Sequence, residues 1–204
     1  MLKLESFESL KPNDVFDVVT RELFVEVGTE HDEYLRSLNC YEWYYAISKY
    51  YQPKSYFEIG VRLGYSMGTV ITASDVIDHV LGWDNESYIK NSIERAKSTI
   101  EKYITCNRNN VNISIFNIDS QKESKLVIGN YDMIHIDGDH RSNSVYHDCV
   151  LVKDSCKVLV IDDYNNNTSE KTKNGIDRFM NEFSGVIKDN LYIPSIRGMM
   201  IIEF

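Results

Sequence analysis

Two short stretches of this 204-residue chain hold most of its chemistry-bearing side chains. The first, YDMIHIDGDH (131–140), ends an apolar run with His135, Asp137, Asp139 and His140. The second, KVLVIDDY (157–164), ends another with Asp162 and Asp163. Aspartate and histidine are seldom buried without a partner. Placed side by side, these run ends would gather Asp137, Asp162 and Asp163, and clustered carboxylates repel one another unless a cation neutralises them. Hard oxygen donors with little sulfur or nitrogen favour Mg²⁺, Mn²⁺ or Ca²⁺. His140, with an ordinary imidazole pKa of about 6.5, is suited to take a proton at neutral pH. The neighbouring groups read more plainly: His135 as a core histidine, Asp139 as a helix N-cap, and His147 as a residue of a solvated helix. A non-haem iron site built on His135, Asp137 and His147 does not fit the strand and helix pattern of the chain.

That pattern is an alternation. SYFEIGV (55–61), HVLGWD (79–84), VNISIFN (111–117), YDMIHID (131–137) and KVLVID (157–162) read as strands, and GVIKDNLYI and GMMIIEF close the series. Between them lie helical segments, YSMGTVITASDVI, SYIKNSIERAKSTIEKYI, SNSVYHDCVLV and GIDRFMNEF. Near-continuous apolar strands alternating with helices predict a doubly wound, Rossmann-like α/β fold, with a mostly parallel seven-stranded sheet and helices on both faces. Ligands of such sheets bind beyond the carboxyl ends of the strands. Those ends carry Glu58, Asp84, Asp119, Asp137 and Asp162 with Asp163 in turn. Residues 1–52 read as a helical N-terminal segment and 53–204 as the core of a single domain. The aromatic run NCYEWYYAISKYY reads as a helix packed into the body of the fold. The sharper expectation is a subunit contact, as in a homodimer, or a wall of a substrate pocket.

The turn after the first strand, EIGVRLGYSMG, contains Gly60 and Gly64 but neither the lysine of a phosphate-binding loop nor the glycine spacing of a dinucleotide fingerprint. Its E-x-G-x-x-x-G resembles motif I of the class I S-adenosylmethionine-dependent methyltransferases. The resemblance covers roughly residues 55–204. It implies that Glu58, Gly60, Gly64 and Ser66 border the methionine part of the cofactor. It also implies that Asp84 of GWDNE holds the ribose hydroxyls and that Asp119 of NIDSQ lies near the adenine. The strand-end acids resemble those of the metal-dependent O-methyltransferases, the macrocin and catechol types. There Asp137, Asp162 and Asp163 would hold a divalent cation, magnesium being the expected one. The catechol enzyme has a lysine base where this chain has His140. The implied function is metal-assisted O-methylation of a small hydroxylated metabolite or sugar. A metal-independent methyltransferase of the same fold and a non-catalytic cofactor-binding protein are the alternatives.

Composition narrows the partners. Lys and Arg number 22 against 31 Asp and Glu, a formal charge of -9, which disfavours a nucleic-acid surface. No apolar run is long enough for a membrane span. Four cysteines without CxxC spacing predict packing residues in a reduced, cytoplasmic protein. The polar stretch YNNNTSEKTKNG (164–175) reads as a surface loop or an acceptor-recognition loop, with Tyr164 and Asn165 nearest the site. Arg197 is a further candidate for substrate contact.

Overall fold

The computed structural model describes residues 1–12, 31–107, 110–126, 129–165 and 170–204. A short helix α1 (Leu4–Glu8) and a long helix α2 (His31–Tyr51) precede the alternating part. That part runs β1 (Ser55–Ile59), α3 (Tyr65–Ala73), β2 (His79–Asp84), α4 (Ser92–Asn107), β3 (Asn112–Asn117) and β4 (Tyr131–Ile136). It continues with α5 (Ser142–Val152), β5 (Cys156–Ile161), α6 (Glu170–Glu182), β6 (Asp189–Ile193) and β7 (Met199–Glu203). The expected helical reading of residues 13–30 lies outside the described residues.

The strands form one seven-stranded sheet in the order β3-β2-β1-β4-β5-β7-β6. The pairs from β3 to β5 are parallel, and β7 runs antiparallel to both β5 and β6. The chain builds outward from β1 through β2 to β3, then crosses back to lay β4 against the other side of β1. This reversal makes the carboxyl ends of β1 and β4 the point where a ligand crevice opens.

Successive strand residues point to opposite faces, so each strand serves two cores. Phe57, Leu81, Trp83, Ile134, Ile136, Leu159 and Ile161 pack with Val145 of α5 and with Ile176 and Phe179 of α6. Tyr56, Val80, Met133, Val158 and Val160 pack with α2, α3 and α4 on the other face. Burial on both sides explains the near-continuous apolar runs. Each fully buried residue such as Phe57 or Ile134 contributes roughly 1.5–3 kcal/mol of transfer free energy. The aromatic helix α2 is part of this body: Trp43, Tyr44, Ala46 and Ile47 are buried, while Tyr50 stays exposed. Gln52, with φ +45, turns the chain out of that helix just before Pro53.

Two boundaries differ from the sequence reading. Helix α6 begins at Glu170 rather than near Gly175, so residues 170–175 are helical rather than loop. Its charged first turns support it through an i,i+4 ion pair between Lys173 and Asp177. Strand β6 is confined to Asp189–Ile193 because Val186 lies in an exposed turn. Cys40 and Cys149 are free and buried, and Cys156 is free and partly covered. No described helix is long and apolar enough to cross a membrane.

Candidate active site at the carboxyl edge of the sheet

The sheet's hydrogen-bond ladder continues one residue past its central strands. Gly60 N donates to Trp83 O at 2.8 Å, Asp137 N to Ile59 O at 2.9 Å, and Asp162 N to Ile136 O at 3.1 Å. The turns after β1, β4 and β5 are therefore held side by side. Gly60 adopts φ +90, and a β-carbon there would sit 2.2 Å from the Asp137 carbonyl oxygen. Gly64, with φ +77, opens α3, where a β-carbon would press on Ile100 and Ala96 of α4 at 3.0–3.2 Å. The α3 amino terminus has no side-chain cap, so its backbone N–H groups are open to a ligand.

Glu58 lies inside β1 and is fully buried. Its carboxylate accepts hydrogen bonds from Tyr56 at 2.9 Å and from the Ser66 hydroxyl. His135 of β4, in register with it, places Nδ1 3.4 Å away. Ser66 is thus directed at Glu58, and both sit beneath the turn, behind the glycines.

Asp84 ends β2 and ties three segments together. Its Oδ2 accepts from Arg62 N at 2.7 Å. Its Oδ1 accepts from Glu86 N at 2.7 Å and from the Ser92 hydroxyl at 3.1 Å. A carboxylate has about four acceptor positions, so room for a further donor remains. Asp119 accepts from Gln121 N at 3.2 Å and pairs with Lys122 at 3.1 Å. Beside these acids a cleft of about 490 Å³ opens between Asn85, Ser87, Asn117, Ile118, Asp119, Lys122 and Glu123. Its size lies within the range of small-molecule sites. Open backbone donors at α3, an acid with a free acceptor position and this cleft fit an adenosine-containing cofactor laid across β1, β2 and β3.

On the other side of the crevice, Asp137, His140 and Asp163 bring ligand atoms within 4.8 Å of one another. His140 Nδ1 lies 3.4 Å from Asp163 Oδ2, and its Nε2 lies 3.9 Å from Asp137 Oδ1. Asp163 Oδ1 is buried without a hydrogen bond, and Arg197 Nε approaches it at 3.8 Å. The Asp137 side chain keeps 28% of its exposure. Even so, burial, then the charges of Asp162 and Asp163, hold its carboxyl well above the usual range. Asp162 is raised as well, by burial first and by Asp163 next. Carboxylates crowded together in this way fit a divalent cation.

Asp162 is not one of the three converging side chains. Asp163 takes φ +59, which turns the chain sharply after the strand. Asp162 consequently faces inward, 4% exposed, towards Tyr44 of α2 and His135. His135 is a core residue as expected, with the Tyr44 ring edge-on at 4.8 Å. His147 differs from expectation: its Nε2 meets the Ser120 carbonyl at 3.0 Å, so it ties α5 to the turn after β3. Asp139 caps no helix N–H of α5. It accepts from Arg141 N and the Ser144 hydroxyl, each at 3.0 Å. Tyr164 is held by Asp177 at 2.8 Å, and Asn165 N donates to Arg197 O at 2.9 Å. Residues 166–169 of the expected recognition loop lie outside the described residues. Tyr44, part of the aromatic run for which a pocket wall is one sequence expectation, borders Asp162; Ser195, which no motif marks, is missed by sequence reasoning.

The comparisons with known proteins agree with this geometry. A family model described as a methyltransferase domain matches residues 57–164, and the chain belongs to that family. No curated protein matches the sequence. Among solved structures, the O-methyltransferase TomG of Streptomyces achromogenes, in complex with S-adenosylmethionine, is 14% identical with a TM-score of 0.63. That alignment covers 100% of this chain and 99% of TomG. An O-methyltransferase of Bacillus cereus, in complex with S-adenosylhomocysteine, is 16% identical with a TM-score of 0.62, over 97% of this chain and 100% of that one. The Podospora anserina methyltransferase PaMTH1, bound to S-adenosylhomocysteine, is 17% identical with a TM-score of 0.57, over 80% and 77% of the two chains. The fold is that of the class I S-adenosylmethionine-dependent methyltransferases.

Proposed function

We propose that the chain transfers a methyl group from S-adenosylmethionine to an oxygen of a small hydroxylated metabolite or sugar, assisted by a divalent cation. The observation that carries this reading is the meeting of Asp137, His140 and Asp163 at the same sheet edge as the glycine turn. O-methyltransferases among the structural neighbours, bound to the cofactor or its product, support it.

When bound, the cofactor supplies an electrophilic sulfonium methyl, and a divalent cation lowers the pKa of the acceptor hydroxyl. Gly60 and Gly64 let the backbone approach the methionine part, with Glu58 and Ser66 bracing the turn from below. Asp84 would hold the ribose and Asp119 would lie near the adenine. Asp137 and Asp163 would hold the cation, with Asp162 behind them. His140 keeps its Nδ1 towards Asp163 and takes the acceptor proton at Nε2. Asp163 then stabilises the imidazolium. Fixing both reactants at one crevice supplies proximity and excludes water.

A second reading makes His140 the third cation ligand, favoured by the mutual distances of the three ligand atoms. A nitrogen ligand favours Mn²⁺ or another transition metal over Mg²⁺. Methyl transfer to a panel of diols and sugars, assayed with each cation and with chelator, tests both. Transfer that needs a cation and is lost in Asp163→Asn supports the proposal. Transfer unaffected by chelator and by that variant overturns its metal part. In His140→Ala, cation affinity that is kept while the rate falls assigns the base role. Cation affinity that is lost assigns the ligand role.

A further inference from the structure

Strand β3 is an edge of the sheet and pairs with β2 alone. The segment at its end, with Asn117, Ile118, Asp119, Lys122 and Glu123, forms one wall of the cleft of about 490 Å³. The ladder gives out one residue past the strand, where Ile118 N donates to Asp84 O at 3.0 Å. Beyond it Asp119 caps a single 3-10 turn, Ser120–Lys122, by accepting from Gln121 N at 3.2 Å, which is a local bond. Among the described residues, the polar groups that tie this turn to the body of the protein come from helix α5.

Ser144, His147 and Asp148 are spaced i, i+3 and i+4, so they share one face of α5. His147 Nε2 meets the Ser120 carbonyl at 3.0 Å. The Gln121 side-chain amide donates to Asp148 Oδ1 at 2.8 Å and to the Ser144 carbonyl at 3.3 Å. The Ser120 side chain also faces Asp148. Val145, Cys149 and Val152 anchor the helix in the core, which makes it a firm platform.

An acid in the interior is costly unless it serves a partner. Asp148 is 0% exposed, and the partner it serves is the amide two residues past Asp119. We infer that Asp148 and Gln121 are positioning residues for the cofactor: without touching it, they hold Asp119 where its carboxylate accepts a hydrogen bond from the amine of the adenine ring. The inference rests on the reading above, which places the adenine at Asp119. A carboxylate only accepts, so a base with an oxygen in place of that amine offers it no donor. The choice between the two bases depends on where Asp119 stands, and a displacement of about 1 Å is enough to lose it. Selection of the base is thereby assigned to the contact between α5 and the edge of the sheet.

The test is calorimetric titration of the full chain with S-adenosylhomocysteine and with S-inosylhomocysteine, whose base carries the oxygen. The ratio of the two affinities is the readout, because a general loosening of the fold weakens both ligands alike. The parent is expected to bind the adenine compound at least about tenfold tighter. In Asp148→Ala and in Gln121→Ala the ratio is expected to fall to about threefold or less. The double variant should lose no more than the weaker single variant, since both act through one contact. Asp148→Asn keeps an acceptor for the Gln121 amide and should retain most of the preference. Gln121 is half-buried, so Gln121→Ala carries the test even where Asp148→Ala does not fold. A ratio that survives in Gln121→Ala, or losses that add in the double variant, would overturn the inference alone. A folded parent that binds neither compound, or both equally, would overturn the placement of the adenine and the inference with it.

Discussion

The backbone at Gly60 touches the backbone at Asp137: a β-carbon on Gly60 would lie 2.2 Å from the Asp137 carbonyl oxygen and 2.8 Å from Gly138 N. The cofactor-side turn and the acid-bearing turn are therefore one packed unit. A side chain at residue 60 must push them apart and also hold φ +90, a backbone region that L residues rarely adopt. Gly60→Ala is expected to cost at least about 2–3 kcal/mol. Gly185→Ala, where an added β-carbon meets nothing within 4 Å, is expected to change stability by less than about 0.5 kcal/mol. Urea denaturation of both variants checks this, and equal effects would show that the contact is dispensable.

Asp148 of α5 predicts a pH dependence of stability. Oδ1 accepts from Gln121 at 2.8 Å, while Oδ2 is buried without a partner behind Gly138. Burial pushes this carboxyl up to about 7. Because the folded pKa lies above the unfolded value of about 3.9, the folded state holds the proton more tightly. The stabilisation is complete below about pH 4 and is lost as pH rises through about 7, a change of roughly 4 kcal/mol at most. Asp148→Asn removes the titration, so its melting temperature should fall less than that of the parent across this interval and exceed it at pH 8. Parallel melting curves would contradict the assignment.

Glu58 stays buried because Tyr56 and Ser66 donate to it. Tyr56→Phe and Ser66→Ala should each cost about 1–3 kcal/mol, the range for leaving a buried acceptor short of a donor. In a Glu58→Gln background the same changes should cost clearly less, because the charge they serve is gone. A double-mutant cycle by chemical denaturation reads this coupling, and strictly additive costs would remove the carboxylate as the shared partner.

His140 predicts a kinetic signature. Nδ1 faces Asp163 at 3.4 Å, leaving Nε2 to receive a proton. As the base, it should make the rate of the parent rise with pH and then level off. In His140→Gln that inflection should vanish and kcat should fall by about 10²–10⁴-fold, the usual contribution of a positioned base. A profile unchanged in shape would take the base role away from His140.

Much of this arrangement is legible in the sequence, for identifiable reasons. The strands announce themselves because a sheet buried on both faces demands apolar runs, as in YFEI and KVLVI. The acids at the strand ends follow, because a parallel sheet lines those ends up. What the sequence conceals depends on backbone direction and on contacts between distant segments. Asp162 and Asp163 are neighbours in the chain, yet φ +59 at Asp163 sends one inward to Tyr44 and the other to His140. His147 looks like a solvent-facing helix residue until Ser120 is found beside it. Ser195 meets Cys40 of α2 only because the antiparallel β7 returns to β5, a long-range pairing that no local motif records. The start of α6 was obscured by polar residues whose helix-supporting ion pair, Lys173 with Asp177, is itself spaced within the polar stretch.

The most direct test of the account is calorimetric titration of the folded chain with S-adenosylhomocysteine, repeated with Asp84→Ala. Asp84 ends β2 beside the cleft and joins Arg62, Glu86 and Ser92. The account predicts one binding site per chain, with affinity at least about tenfold weaker in the variant, as expected for loss of a charged hydrogen-bonding partner. Absence of binding by the folded parent chain, or binding indifferent to Asp84, would contradict the placement of the cofactor across β1, β2 and β3.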